Sequence, residues 1–378
     1  MKIVCDDKIP FLRGVLEPFA EVVYLPGKQT TPEVVRDADA IITRTRTKCD
    51  AALLSGSSVK VIATATIGFD HIDTAWCESH GILWRNAPGC NSWSVKQYIA
   101  SVLVSLSRRH GLDLSAMTLG VVGVGNVGSK VAEVASLLGM KVLLNDPPRA
   151  RAEGEQGFVS LDEVMERADI ITLHVPLTKE GEDATWHLFD AARIGRLRRD
   201  QFLFNSSRGP VVDNAALKAA LKAGALRGAV LDVWENEPDI DRELLGLLEY
   251  ATPHIAGYSA DGKANGTTMS VRTVASVLGL PLTDWTASGV PAPAQPLSFC
   301  IDAAGKSGAQ VLAEAILHTY DVQRDTDALR AAPELFEKLR GDYPVRREPT
   351  ALSLQLKGGT AELAWTLSKI GFQLTNNQ

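Results

Sequence analysis

Cysteine, long apolar runs and clustered charge are all scarce in this chain of 378 residues, and each scarcity excludes a class of protein. The five cysteines form no C-x-x-C pair, a pattern that favours reduced thiols over disulfides or a zinc site and predicts a cytoplasmic location. Gly or Pro interrupts the longest charge-free stretches, 114–129 and 285–301, so no membrane span is expected. The 39 basic residues are spread along a chain of net charge −6, so the sequence predicts no basic patch that would bind nucleic acid.

Apolar residues make up 45% of the chain, and their spacing predicts an α/β protein with three regions. Residues 1–93 alternate short β-type runs with helical patches, and residues 94–255 start the same rhythm again with stronger strands. Residues 285–298 contain three prolines and no charge, so they indicate a semi-rigid connector. The last 80 residues of the chain predict a small α/β module, and their sequence does not reveal its function.

The second region opens with a G-x-G-x-x-G motif, LGVVGVGNVG, between an apolar strand and a helix. Gly123 permits the tight turn, Gly125 lets a pyrophosphate approach the backbone, and Gly128 allows close packing of the helix. The amides near Asn126 and Val127 face the anion at the start of the helix. The motif therefore predicts a dinucleotide cofactor.

A carboxylate at the end of the next strand predicts which dinucleotide is bound. Asp146 can accept both ribose hydroxyls of NAD and repel the additional phosphate of NADP. Arg149, just beyond the strand, leaves NADP open as an alternative because an arginine there can bind that phosphate. NAD is the expected cofactor.

Three further strands are followed by residues that could share one reaction. Arg208 follows QFLFNSS, Glu237 lies in LDVWENEP, and His254 lies in TPHIAGY. The carboxyl ends of strands in an open α/β sheet line one crevice, so we expect these side chains to lie close together. An Arg fork can hold a carboxylate, and a His beside a Glu can exchange the proton of a hydroxyl. The trio predicts hydride transfer at an alcohol next to a carboxylate.

Two other histidine segments have simpler interpretations. His174 in HVPLT also ends a strand, but no carboxylate is its neighbour in sequence, so a wall or packing role is favoured. The cluster GFDHID (68–73) looks like a metal site, yet Asp70 stands at the start of a helical stretch and is expected to be its N-cap. No metal is predicted.

Together these motifs resemble the D-2-hydroxyacid dehydrogenase family over nearly the first 280 residues. GVGNVG with Asp146, HVPLT, NSSRGPVVDNAAL, LDVWENEP and TPHIAGY follow the order and approximate spacing of the family. The resemblance implies that Arg208 orients the substrate, that His254 is the acid/base and that Glu237 is its partner. It also implies cofactor contacts from Ser206, Ser207, Arg208, Asp232 and Gly257.

The same resemblance implies a Rossmann doubly wound parallel sheet over 94–255 and a flavodoxin-like lid and substrate domain over 1–93 with 256–284. The cleft between them would hold the reacting carbon. ATATIGFDHID, NAPGCNS and TYDVQRDTDALR favour the branch of the family that oxidises 4-phospho-D-erythronate in pyridoxal phosphate biosynthesis. The resemblance to that branch implies that 285–378 is a C-terminal dimerisation domain, so a homodimer is expected, and a ligand sensor or a lid is the alternative role for this region. The chain departs from the family at Gln97, where a Glu is usual.

A basic segment predicts how the phosphate is held. An extended backbone in AIITRTRTK would project Arg44, Arg46 and Lys48 to one side, although a solvated strand end is the alternative. Which of the three cations binds the phosphate is left open. The resemblance adds three other substrate contacts: Thr45, Thr66 and Tyr258.

Two other functions stay open. D-3-Phosphoglycerate dehydrogenase, or another D-2-hydroxyacid dehydrogenase, shares the paired arginines Arg44 and Arg46, and the tail sequence disfavours it. An NAD-sensing co-regulator on the same fold would need the glycine motif but not the trio of Arg, Glu and His. The intact trio favours an enzyme.

Overall fold

The computed structural model describes residues 1–375 and confirms the predicted α/β class. Every strand pair in this part of the chain is parallel. The strands are β1 Lys2–Asp6, β2 Glu21–Leu25, β3 Ala40–Thr43, β4 Val61–Thr64, β5 Leu83–Arg85, β6 Thr118–Val122, β7 Lys141–Asn145, β8 Ile170–Leu173, β9 Phe202–Asn205, β10 Gly228–Leu231, β11 Tyr250–Ala251, β12 Ser298–Asp302, β13 Ser353–Lys357 and β14 Gln373–Thr375.

The helices of these residues are shorter on average in the first third of the chain than in the rest. They are α1 Pro32–Val35, α2 Ala51–Leu54, α3 Thr74–Ser79, α4 Ser92–His110, α5 Asn126–Leu137, α6 Pro147–Glu153, α7 Leu161–Arg167, α8 Ala191–Ile194, α9 Asn214–Lys222, α10 Arg242–Leu247, α11 Ala260–Leu278, α12 Gly308–Thr319, α13 Val322–Ala331, α14 Phe336–Gly341 and α15 Ala361–Ile370. No helix within residues 1–375 is both long enough and apolar enough to cross a membrane.

The chain forms two compact units. The first combines Met1–Asn91 with Ser259–Pro291, and the second combines Ser92–Tyr258 with the chain from Ala292 onward. The tail thus groups with the second unit in this division. Its status as a separate domain beginning at 285 stays a prediction.

The first unit is a five-stranded sheet in the order β2-β1-β3-β4-β5, the flavodoxin-like arrangement that was predicted. Strands β3 and β4 are fully buried because helices cover both faces. Val271 and Val274 of α11 pack on one face, and short helices α1 to α3 pack on the other. Asp73 is the N-cap of helix α3, and its side chain accepts a hydrogen bond from the backbone N–H of Trp76. The expectation of an Asp70 cap is therefore wrong by three residues, because the chain turns through Phe69–Ile72 before the helix starts.

The basic segment after β3 also differs from the prediction. The strand ends at Thr43, opposite the last residue of β4, and residues 44–47 form a turn and bend instead of an extended run. Lys48 Nζ pairs with Asp50 Oδ2 at 2.8 Å, and Arg44 Nε lies 3.3 Å from Asp6 Oδ1. The three cations therefore do not share one side of a strand.

The second unit contains a six-stranded sheet in the order β11-β10-β9-β8-β6-β7, which confirms the doubly wound arrangement. Strands β7 and β8 lie on opposite sides of β6, so the strand order reverses there. In such sheets a crevice opens at the carboxyl ends of the strands beside the reversal. The segments that follow β6, β8, β9, β10 and β11 all emerge at this edge because the strands are parallel.

The tail adds a three-stranded parallel sheet in the order β12-β13-β14. Leu354 and Leu367 of the tail are fully buried in one cluster with Val104 of α4 and Val134 of α5. Helix α13, which the sequence pattern did not predict, packs on β11, where the Thr326 hydroxyl accepts from the backbone N–H of Ala251 at 3.2 Å. Part of the apolar surface of the tail is thus buried within its own unit.

Candidate active site

Two of the three glycines after β6 meet a steric demand, and the third faces open space. Gly123 has a φ of +86°, and a Cβ there would lie 2.6 Å from the carbonyl oxygen of His174. A Cβ on Gly128 would lie 1.9 Å from the carbonyl oxygen of Gly123, so only glycine lets α5 pack this closely. A Cβ on Gly125 would meet no atom within 4 Å. The open space lies beside the exposed Asn126 at the start of α5, where uncapped amides can bind an anion.

Asp146 follows β7 and is held in place by two backbone donors. Its Oδ2 accepts from the N–H of Val124 at 2.8 Å, and its Oδ1 accepts from the N–H of Arg149 at 3.1 Å. The guanidinium of Arg149 donates through Nε and Nη2 to both carboxylate oxygens of Glu153, and through Nη1 to the Val124 carbonyl oxygen. Arg149 is poorly suited to bind the additional phosphate of NADP because its guanidinium already pairs with the Glu153 carboxylate.

The segment after β9 is organised by the Asn205 side chain. Its Oδ1 accepts from the N–H and the hydroxyl of Ser207, and its Nδ2 donates to the carbonyl oxygen of Arg208 at 2.8 Å. Ser206 Oγ is buried, and no described residue offers it a hydrogen bond. An orphaned buried hydroxyl at the edge that carries the glycine loop fits a bound dinucleotide, because that ligand can supply the missing partner.

Arg208 leaves the sheet edge at a point where the backbone makes a close approach. A Cβ on Gly209 would lie 1.9 Å from the carbonyl oxygen of Trp234, so the residue after the arginine must be glycine. Pro210 then lies in a single 3-10 turn, Gly209–Val211, and its carbonyl oxygen accepts a hydrogen bond from the N–H of His187. The sequence Arg-Gly-Pro therefore reflects packing of the segments that follow β9 and β10.

Glu237 and His254 form a hydrogen-bonded pair. Glu237 Oε2 lies 2.8 Å from His254 Nδ1, and Glu237 Oε1 accepts from the backbone N–H of Trp234 at 2.9 Å. Burial alone would raise the pKa of Glu237, but the hydrogen bonds and the nearby positive charges hold that pKa below its usual value. An ionised carboxylate only accepts, so Nδ1 carries a proton and Nε2 is the nitrogen left to exchange one.

The loop that carries His254 is held by Asp232. Asp232 is 1% exposed, and its carboxylate accepts from the N–H groups of Ile255 (2.7 Å) and Ala256 (2.9 Å) and from the Thr252 hydroxyl (2.7 Å). Burial raises the pKa of this carboxyl above its ordinary value, against the opposing effect of these donors. Three internal donors thus use the carboxylate, and a contact from it to the cofactor stays a prediction, as does that of Gly257.

Tyr258 lies beside a cation that the sequence analysis missed. Arg340 of α14 donates through Nε to the Tyr258 hydroxyl oxygen at 2.9 Å, and its positive charge contributes to the lowered pKa of Glu237. Only a long-range pairing signal could have found Arg340, because 82 residues separate it from Tyr258. The tail therefore reaches the neighbourhood of Glu237 and His254.

The substrate contacts expected in the first unit are Arg44, Thr45, Arg46 and Thr66. Thr45 and Arg46 are exposed in the turn after β3, and the Thr66 hydroxyl is bonded to the Thr64 hydroxyl and the Gly68 carbonyl oxygen at 2.8 Å each. Their roles stay predictions. The GFDHID cluster lies in this unit as well, and no described group of three His, Cys, Asp or Glu side chains could hold a metal ion.

The comparisons with known proteins agree with these features. Residues 83–256 match the model of the D-isomer specific 2-hydroxyacid dehydrogenase NAD-binding domain, and 295–371 match a domain of unknown function. An erythronate-4-phosphate dehydrogenase of Bacteroides fragilis is 53% identical over 93% of this chain and 98% of its own. One of Proteus mirabilis is 41% identical over all of both chains.

Among solved structures, D-lactate dehydrogenase from Aquifex aeolicus, complexed with NAD and lactic acid, is 29% identical with a TM-score of 0.63. It aligns over 77% of this chain and 100% of its own, so about a quarter of the present chain has no counterpart in it. The relatives of nearly equal length decide the assignment. This chain belongs to the erythronate-4-phosphate dehydrogenase family of D-2-hydroxyacid dehydrogenases.

Proposed function

We propose that the chain oxidises 4-phospho-D-erythronate to 2-oxo-3-hydroxy-4-phosphobutanoate with NAD, as a step of pyridoxal 5'-phosphate (vitamin B6) biosynthesis. The family and its NAD-binding domain make the chain an NAD-dependent oxidoreductase that acts on a hydroxy acid. The names of the relatives with 53% and 41% identity support the specific substrate. The observation that carries the chemistry is the pair formed by Glu237 and His254 at the sheet edge that also bears the glycine loop.

His254 is the general base of this reaction. Its Nε2 takes the proton of the 2-hydroxyl, and Glu237 stabilises the imidazolium that results through the bond at Nδ1. NAD, when bound, would accept the hydride from the carbon that carries the 2-hydroxyl. Arg208 orients the substrate by holding its carboxylate with a planar fork of donors. Gly125, Asp146 and Ser206 are the residues that would hold the cofactor.

The phosphate end is proposed to lie near Tyr258 and Arg340. The guanidinium beside the tyrosine hydroxyl supplies a positive charge from the tail. Replacing Arg340 with Met should raise the KM for the phosphorylated acid more than it lowers kcat, because substrate binding is lost and the base remains. An unchanged KM would remove Arg340 from the phosphate site.

A substrate panel followed at the nicotinamide absorbance tests the activity. The panel contains NAD with 4-phospho-D-erythronate, D-3-phosphoglycerate, D-erythronate and D-lactate. We expect reduction of NAD with the first acid at the lowest KM. Preference for D-3-phosphoglycerate would instead support the other phosphorylated branch, and NADH binding without turnover on any acid would support a co-regulator.

We also propose a homodimer in the cytoplasm. A groove of about 980 Å³ is lined by Leu138, Leu312, Leu317 and Leu363, so the tail retains open apolar surface next to α4 and α5. A second copy of the chain is its proposed occupant. Leu317→Arg should lower the sedimentation coefficient to that of a monomer, whereas Leu335→Arg, at an exposed leucine outside the groove, should not. A wild-type monomer would contradict the dimer. All five cysteines are free, in keeping with a reducing compartment.

A further inference from the structure

A buried arginine of the tail contacts the loop that carries His254. Arg346 is only 4% exposed, although arginine is almost never buried without a specific partner. Its Nη2 donates to the carbonyl oxygens of Ile255 (3.0 Å) and Ala256 (2.6 Å) and to the hydroxyl oxygen of Ser94 (2.5 Å). The two carbonyls belong to the residues that directly follow His254.

The same two residues are also held through their amides. Asp232 accepts from the N–H groups of Ile255 and Ala256, and the Ser94 hydroxyl donates to the Ala256 carbonyl oxygen at 2.9 Å. A buried anion thus fixes the donors of the loop while a buried cation fixes its acceptors. Each of the two residues has both of its backbone polar groups bound, which leaves the loop little freedom to shift.

Arg346 makes these bonds without a directly paired carboxylate among the described residues. The rings of Tyr320 and Tyr343 lie 4.5 Å and 5.6 Å from its guanidinium carbon, and no described residue accepts a hydrogen bond from Nε or Nη1. Burying a charge costs free energy unless it is compensated, and an apolar side chain of equal volume would pack at lower cost. The hydrogen bonds that distinguish arginine from such a side chain are those to the loop and to Ser94.

The backbone at His254 explains why the loop needs support. Its φ is +58°, in the left-handed region that a non-glycine residue adopts only when its surroundings impose it. A loop released from these contacts would relax and move the imidazole relative to Glu237. A displacement of about 1 Å at a reacting group can cost about 10²-fold in rate.

We propose that Arg346 is a positioning residue, which holds residues 254–256 so that His254 keeps its bond to Glu237 and presents Nε2 to the substrate. This role rests on the proposed function of His254 as general base. The tail thereby supplies part of the support of the base. Truncation near residue 284 would remove that support.

The test compares Arg346→Met, Arg346→Lys and Ser94→Ala with a control, Leu354→Ala. Leu354 is fully buried in the tail sheet, and no polar contact joins its side chain to the loop, so the control lowers stability without releasing residues 254–256. Two quantities are measured: steady-state kinetics with 4-phospho-D-erythronate, and hydrogen–deuterium exchange of the Ile255 and Ala256 amides.

Arg346→Met should lower kcat by about 10²-fold with a much smaller change in KM, and it should speed exchange of the two amides beyond the control. Arg346→Lys should restore part of both properties because it keeps the charge, and Ser94→Ala should shift both in the same direction by less. If the Met variant does not fold, the Lys and Ala variants decide. Exchange no faster than in the control, with unchanged kcat, overturns the proposal.

The exchange measurement separates this proposal from the proposed function. A wild-type chain that oxidises none of the acids would contradict the function, and exchange at the two amides would still report whether Arg346 holds the loop. A chain that is active while exchange and kcat ignore Arg346 would keep the function and refute the positioning role.

Discussion

Acid should destabilise this protein in part through one neutral histidine at the sheet edge. His174 follows β8, and its ring Nδ1 is buried with no hydrogen-bond partner among the described residues, while Nε2 lies 3.0 Å from the Thr172 hydroxyl. Burial lowers the pKa of His174 from 6.5 to about 3. The sequence analysis favoured a packing role for this residue, and an imidazole kept neutral agrees with that interpretation.

The sign of the effect follows from proton binding in the two states. Below a pH of about 6.5 the unfolded chain protonates this histidine, while the folded chain leaves it neutral until the pH nears its lowered pKa. Keeping His174 neutral in the folded state therefore costs no stability above about pH 6.5. The free energy of unfolding then falls as the pH drops toward 3, because only the unfolded chain gains the proton. Between pH 7 and pH 5 the loss amounts to about 2 kcal/mol.

His174→Gln removes this titration and keeps a polar group near Thr172. We expect the free energy of unfolding, measured in urea by tryptophan fluorescence, to fall between pH 7 and pH 5 by about 2 kcal/mol less than in wild type. His80→Gln, which removes an exposed imidazole, is the control. His71 also has a pKa lowered to about 4 by burial, so the variants are compared with each other and not with a pH-independent wild type. Equal losses in wild type and His174→Gln would refute the reasoning.

Four substitutions test the site itself. His254→Ala should lower turnover by about 10²–10⁴-fold while fluorescence still reports NADH binding, and wild-type turnover would exclude it as the base. Arg208→Lys should lower kcat/KM because an ammonium lacks the planar fork, so undiminished kcat/KM would mean that Arg208 grips no carboxylate. Asp146→Ala should weaken the binding of NAD, measured by titration calorimetry, and should reduce the preference of the enzyme for NAD over NADP. An unchanged affinity for NAD would mean that another residue contacts the ribose. Gly209→Ala should lower the melting temperature in calorimetry, since its Cβ would lie 1.9 Å from the Trp234 carbonyl oxygen, and an unchanged temperature would mean that the backbone shifts freely.

The cofactor site was predictable from local sequence because its parts are close in the chain. The three glycines, the start of α5 and Asp146 fall within one βαβ unit, and Gly123 and Gly128 meet the steric demands that the motif implies. The proximity of Glu237 and His254 was also predictable, since residues after neighbouring parallel strands emerge at one edge of the sheet, whereas the place of Arg208 beside them stays a prediction.

The basic segment after β3 was misread for a physical reason. Alternating Thr and Arg fits a strand by composition, but β3 stops where its partner β4 stops, and the chain turns once no neighbour remains to pair with it. The position of Asp73 as the cap of α3 depended in the same way on the turn before the helix. Neither the turn after β3 nor the position of the cap of α3 could be predicted from the local sequence pattern.

Sequence by itself determined the α/β class, the dinucleotide fingerprint and the proximity of Glu237 to His254, because those features depend on periodicity and on short motifs with one geometric solution. Only the tertiary structure decided the place of the tail. Gln97 donates to the carbonyl oxygen of Arg347 at 2.9 Å, a bond that the Glu usual in the family could not donate, and Arg346 binds the carbonyls beside His254. These contacts join residues 90 to 250 positions apart, and a buried charge shows its partners only when the folded chain brings them together.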